Sequence, residues 1–408
     1  MQSNYIRSLY FFALALVLFL YGCEPEADRF KYTDPQELVT ISQLDKGMLN
    51  VNDVKFGIRA DGVHCTNDGL TFTTALYSGR NVSAFVSCAG LWLGTDNPTP
   101  KVNLVSYSKS TDRTNFTHYL DTIRAGLYYV TPAKAEYVPS IPLVRLGFPV
   151  YPNGKVKIYG DEMYWTALQG KTIPGNNLFS SPIYFVNVNQ TVFAYNRFDL
   201  RNVIFIRYDI KNVSGADINN LYAGYWSDTD VEPMASGNST GYDSERAFTY
   251  TYSKAKIFSP DSCIIAGFTF AESPAAGMKY PHGVSSHRIM RKNNYINPEF
   301  GEVNFGARQA VYALKGLSND GKPMTNPVTE ELTNYAFTGD PVTGTGWTDA
   351  SADSRNLLNS GPFTLRNDET KTLVVIWICS AYGSLKANLS AVRDQLDQIR
   401  NEPSLWNK

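Results

Sequence analysis

The clearest pattern in the chain is a two-residue alternation. In Val203–Lys211, Ile204, Ile206, Tyr208 and Ile210 fall on one face, and Arg207, Asp209 and Lys211 on the other. Period two with β-branched and aromatic residues predicts a half-buried strand. Leu221–Trp226 predicts the next strand, after a turn at Asn212–Gly215. Similar short runs lie at 70–77, 82–93, 102–108, 125–130, 183–195, 247–253, 263–270, 309–314 and 371–379, separated by Gly, Pro, Asn and Ser clusters. Thr372–Cys379 is almost wholly apolar and predicts a central strand covered on both faces. One helical stripe stands out: from Ser384, the residues Leu385, Leu389, Val392, Leu396 and Ile399 recur at helical spacing. Ser384 is its expected N-cap, and the helix is expected over 384–401. The pattern predicts a mainly β fold of two packed β-sandwich-like units with a C-terminal helix. A composition shift over 170–182 places the units at 41–175 and 176–408.

Residues 1–22 carry a different signal. Arg7 is followed by an unbroken apolar run from Leu9 to Leu20. Such a run is shorter than the about 20 residues that span a bilayer, and it suits the apolar core of a signal peptide. It ends in Leu20-Tyr-Gly-Cys23, which resembles the lipobox of bacterial lipoproteins. The resemblance implies cleavage before Cys23 and a covalent lipid on its thiol, which would attach the protein to a membrane. Residues 23–40, with Glu24, Glu26 and Asp28, read as a polar tether. Acidic residues directly after the cysteine resemble surface-export signals of Bacteroidetes-type lipoproteins. The expected site is therefore the outer membrane, on its periplasmic or outward side.

Charge narrows the partners. The 37 basic and 38 acidic residues nearly cancel, and like charges do not cluster in runs. This argues against nucleic acid or an acidic membrane surface as a partner. The 26 tyrosines suit sheet packing with wet hydroxyl tips, or a platform on which sugars stack. Beyond Cys23, four cysteines remain: Cys65, Cys88, Cys263 and Cys379. An oxidising compartment permits two disulfides among them, in any of three pairings. Cys65–Cys88 flanks two expected strands and is the expected local pair, with Cys263–Cys379 as its complement.

The strongest inorganic signal is Asp228, Asp230 and Glu232, with Asp243 downstream. Alternate carboxylates leaving a strand can converge on a hard cation, which makes Ca²⁺ the candidate cofactor, or they form a solvated acidic loop. Arg246 is an alternative counter-charge. Asp161 and Glu162 are adjacent, so on a strand they face opposite ways and cannot flank one glycosidic bond; a structural role is expected. His64, His118, His282 and His287 lack metal-site spacing, and no HExxH, GxSxG or phosphate-loop motif occurs. The Gly-rich stretch 339–346 reads as an ordered loop anchored by Trp347.

Six stretches in order resemble an exported β-rich protein group of Bacteroidetes-type bacteria. They are Val54-Lys-Phe-Gly-Ile-Arg-Ala-Asp-Gly62, Ala89-Gly-Leu-Trp-Leu-Gly94, Tyr159-Gly-Asp-Glu-Met-Tyr-Trp165, Leu221-Tyr-Ala-Gly-Tyr-Trp-Ser-Asp-Thr-Asp230, Gly339-Asp-Pro-Val-Thr-Gly-Thr-Gly-Trp347 and Ser360-Gly-Pro-Phe-Thr-Leu365. They span about residues 50–400. The acidic cluster that follows Asp-x-Asp in that group is thinned here to Glu232, Asp243 and Glu245. The resemblance implies no defined biochemical activity. The expected role is binding or scaffolding at the cell envelope, with a membrane reached through the lipid and an envelope protein or a polysaccharide as partner. The alternative is a carbohydrate-binding or carbohydrate-active surface lipoprotein.

Overall fold

The alternation at Val203–Lys211 forms the strand it predicts, and that strand lies deep in the larger of two sheets. The computed structural model describes residues 43–44, 46–65, 76–77, 86–105, 116–118, 126–170, 183, 185–231, 237–253, 263–275, 281–291, 306–381 and 383–408. Strands are numbered in chain order. Across the larger sheet run β1 (Gln43–Leu44), β8 (Leu127–Val130), β9 (Glu162–Gly170), β10 (Val186–Ala194), β11 (Val203–Asn212), β20 (Thr370–Ser380), β15 (Ile265–Glu272), β14 (Phe248–Ser253) and β13 (Asn238–Asp243), with β7 (Phe116–His118) also on β9. The second sheet runs β16 (Ser286–Arg291), β19 (Ser354–Leu365), β12 (Ile218–Asp228), β5 (Cys88–Thr95) and β6 (Lys101–Leu104). β2 (Lys46–Leu49), β3 (Val54–Arg59) and β4 (Leu76–Tyr77) form a small third sheet, and β17 (Met324–Thr325) pairs with β18 (Leu332–Thr333). His64 bridges β3 to β5 by backbone pairs to Ile58 and Ala89.

The two large sheets pack face to face. Ile204, Ile206, Tyr208 and Ile210 of β11 and Leu373, Val375 and Trp377 of β20 meet Leu91, Leu93, Ala223, Tyr225 and Leu358 of the second sheet in one core. The outer face of each sheet is covered in turn. Three helices occur among the described residues besides short 3-10 turns: α1 (Ile141–Arg145), α2 (Ala307–Leu314) and α3 (Leu385–Arg400). Val203, Phe205, Val374, Ile376 and Ile378 pack outward beneath Leu389, Val392, Leu396 and Ile399 of α3. Trp92, Trp226 and Leu357 pack beneath Ala310, Val311 and Leu314 of α2. The layer order is helix, sheet, sheet, helix, as period-two sheets with two apolar faces require. β20 is buried on both faces, as its apolar run predicts. α3 starts where expected, with Ser384 Oγ accepting from Ala387 N at 3.3 Å.

Two expectations change. Residues 309–314 are helical, within α2. The short apolar run fits either state, and Ala310, Val311, Ala313 and Leu314 bury one helical face against the second sheet. The boundary near residue 175 does not separate two packed bodies. β9 and β10, on either side of it, are neighbours in one sheet, and β5 pairs with β12 in the other. The packed units are the two sheets, each built from both halves of the chain, and residues 41–408 cluster as one unit. The segments 1–22 and 23–40, including Cys23, lie outside the described residues.

Candidate functional site

After α2 the chain makes two excursions over β16, and a cleft of about 370 Å³ opens between them. Gly316, at φ +79°, ends α2 in the left-handed conformation, and Leu317 N closes the turn on Tyr312 O at 2.8 Å. Ser318 N then bonds Lys322 O at 2.8 Å, which sets the first wall. The second wall returns as a parallel bridge: His287 N bonds Asn334 O at 2.9 Å and Ala336 N bonds His287 O at 3.2 Å. Gly339 N to Trp347 O and Asp340 N to Thr345 O, both 2.8 Å, close the Gly-rich loop into a hairpin that presents Trp347. Its ring meets Phe337 edge-on at 5.4 Å, and the guanidinium of Arg291 lies 5.2 Å over Phe337.

The lining combines these rings with Ile289, Met324, Pro323 and Ala336 on the apolar side and Arg291, Ser318, Asp320, Lys322 and Thr325 on the polar side. Arg291 is fixed from behind. Its guanidinium holds Asp349, its Nε donates to Ser354 Oγ at 3.0 Å, and Asp349 Oδ2 accepts Thr240 N at 2.9 Å. Asp320 is held ionised: the Ser318 hydroxyl and then Lys322, 2.9 Å away, pull its carboxyl down to about 2. Among the described residues that line the cleft, Asp320 is the one carboxylate.

Asp228 and Asp230, two of the four expected acidic residues, lie close together where β12 ends. Their third partner is Asp353: carboxylate oxygens of the three lie within 4.8 Å of one another. Arg355 sits among them, ion-paired with Asp353 and, at 3.3 Å, with Asp228. Asp230 accepts from Ser87 Oγ at 3.0 Å and from Asn238 Nδ2 at 3.2 Å. Asp353 and Arg355 escape a local reading because they stand over 120 residues downstream; their trace is the alternation Asp353-Ser-Arg355 where β19 begins. A cation here would be held by Asp228, Asp230 and Asp353, and it would have to share the site with a guanidinium.

The rest of the expected acidic set is elsewhere. Glu232 lies outside the described residues. Asp243 belongs to another network. Its Oδ1 accepts Glu245 N and Arg246 N at 3.0 and 3.1 Å, and its Oδ2 accepts Arg393 Nε of α3 at 2.7 Å. Arg246, the alternative counter-charge, reaches Asp397 at 2.7 Å and not Asp228 or Asp230. Asp243 therefore fastens α3 to the larger sheet.

The expected disulfides are not formed, and all four cysteines are buried thiols. Cys65 lies in the core between the sheets while Cys88, on β5, faces α2. Cys263 and Cys379 likewise face opposite sides of the larger sheet. Within each expected pair the two thiols enter cores on opposite sides of a sheet, which no disulfide spans. Asp161 and Glu162 take structural roles, accepting Asn196 N at 2.8 Å and Asn50 N at 2.7 Å. His64 and His287 are fully buried, the former bonded to Tyr225 Oη at 2.9 Å and the latter to Thr249 Oγ1 at 2.8 Å.

Fold and cleft define a two-sheet β protein with a helix on each outer face and a ligand-sized recess at one sheet end. No protein-family model and no curated protein sequence matches the chain. Among solved structures, a bacterial glucoamylase complexed with acarbose aligns with 89% of this chain at 10% identity and a TM-score of 0.43. The alignment covers 36% of the glucoamylase, so the chain spans about a third of that protein's length. An Escherichia coli K12 protein assigned as an aldose 1-epimerase aligns with 84% of this chain and 99% of its own, at 9% identity and a TM-score of 0.32. At such scores neither likeness carries an argument about function.

Proposed function

We propose that the protein is a lipid-anchored envelope protein whose work is to bind a saccharide in the cleft between Ser318–Thr325 and Ala336–Trp347. The observation that carries this is the lining: Trp347 and Phe337 beside Arg291, Ser318, Asp320 and Lys322 in about 370 Å³. A sugar ring has an apolar face for an aromatic wall and hydroxyls for charged and hydroxyl side chains, and ligand recesses run from about 300 to 1,000 Å³. The donors and acceptors are mutually paired, so they are set in place before a ligand arrives. The anchor rests on Leu20-Tyr-Gly-Cys23, and the envelope setting on the six ordered motifs.

The test is titration of the full-length protein with neutral oligosaccharides of glucose, xylose and mannose, followed by tryptophan fluorescence and calorimetry. At least one series is expected to bind, Trp347→Ala to weaken it tenfold or more, about 1.4 kcal/mol, and Trp347→Phe to retain most of it. Binding that Trp347→Ala leaves intact would remove the cleft from the proposal.

A further inference from the structure

Between β8 and β9 the chain makes a long excursion, Thr131–Tyr159, that none of the above uses. One side of it is pinned to the larger sheet: Leu143, Phe148, Val156 and Tyr159 enter the outer core. The other side turns apolar groups to water. Val138 is 62% exposed, Ile141 69%, Val144 36% and Tyr151 43%. Backbone pairs hold this side together, with Tyr151 N on Lys155 O at 2.8 Å, Val156 N on Tyr137 O at 2.9 Å and Lys157 N on Pro149 O at 2.9 Å. Pro132, Pro139, Pro142, Pro149 and Pro152 stiffen it, so the exposed side chains cannot fold back cheaply.

The charge of the segment itself is one-sided. Lys134, Arg145, Lys155 and Lys157 stand against Glu136 as the sole carboxylate of the segment, in a chain whose net charge is −1. Glu136 is already paired with Lys155. Protruding aliphatic and tyrosyl side chains on a segment with a net positive charge match a negatively charged phospholipid surface, where apolar groups enter the headgroup zone and lysines and arginines meet phosphates.

We propose that Thr131–Tyr159 is a membrane-docking loop that seats the folded body on an anionic phospholipid surface, with Val138, Ile141, Val144 and Tyr151 as its inserting groups. The proposal is independent of the saccharide cleft, which lies on the other sheet, and of the lipid on Cys23.

The test uses the full-length chain reconstituted on vesicles, with Ile141→Cys carrying an environment-sensitive dye and Val328→Cys as a control on an exposed turn. On vesicles of phosphatidylglycerol mixed with phosphatidylcholine, the dye at 141 is expected to shift to the blue, brighten and be quenched by lipids carrying a shallow spin label. The dye at 328 is expected to stay water-like. Phosphatidylcholine alone, or Arg145→Glu with Lys155→Glu, should abolish the shift at 141. Equal emission at 141 and 328 on the anionic vesicles overturns the docking loop. An equal shift on phosphatidylcholine overturns the anionic surface as its partner. A shift in free protein that grows with protein concentration overturns the lipid in favour of a second copy of the chain. Both labelled positions are exposed, so the substitutions leave the cores untouched.

Discussion

At the scale of single residues, Arg355 decides how three carboxylates coexist. Its side chain is 3% exposed, and it pairs with the buried Asp228 and with Asp353, whose side chain is 39% exposed. Removing one partner of a buried ion pair costs about 3–5 kcal/mol, because the remaining charges stay buried. Arg355→Ala is therefore expected to lower stability by that order in chemical denaturation. It also leaves Asp228, Asp230 and Asp353 short of a cation. Calcium should then raise the melting temperature of the variant far more than that of the parent chain, through a stabilisation of about 2.7 kcal/mol at a hundredfold excess over the dissociation constant. A variant whose melting ignores both calcium and chelator would remove the metal from this site. The buried histidines act through pH. Burial pulls the His64 imidazole down to about 3 and that of His287 down to about 4. Unfolded, both take up protons near pH 6.5, so between about pH 4 and 6.5 the unfolded chain holds more protons than the folded one. Stability is then full above pH 6.5 and falls as pH drops, by about 1.4 kcal/mol per pH unit for each histidine. Denaturation across that window should show this slope, and His64→Phe should reduce it by about one proton. Asp228 and Asp230 were legible as a pair because an alternation is local. Arg355 and Asp353 were not, because register between β12 and β19 is set by the whole sheet.

At the scale of elements, α3 shows a helix written in its own sequence. Its stripe and its cap agree, and the sheet receives it through Asp243 on Arg393 and through Arg400, which donates to Arg246 O and Thr269 Oγ1. Ser384→Ala removes an N-cap bond to Ala387 N, and a loss of about 1 kcal/mol is expected in urea denaturation, with the fold intact. An unchanged midpoint would mean that tertiary contacts alone hold that end. α2 is the contrary case. Its apolar run is too short to fix a period, and Trp92, Trp226 and Leu357 settle the matter by offering a surface that a helical face fits. The cysteines fall between these cases: the strands were legible, but which face each thiol took depended on register. The same limit hid Phe337, since its partner Trp347 reaches it through a hairpin closed by backbone bonds.

At the scale of the whole molecule, the order of strands in space departs most from their order in the chain. β20 lies between β11 and β15, and β19 between β12 and β16. Neither pairing is announced by a local turn, so the sandwich character was legible and its division into consecutive halves was not. Each sheet therefore lacks a central member until residues 354–380 are present. A chain ended before Ser354 is expected to show no slow-exchanging amide core, whereas one ended after Ser380 should protect β11 and lose only what α3 covers. This order has a consequence for how such a chain is made. A polypeptide threaded N-terminus first through a narrow translocation channel must stay extended until it has passed. For an exported chain, as proposed above, the two strands that close the sheets would emerge close to the end, so such a body would stay threadable for most of its passage.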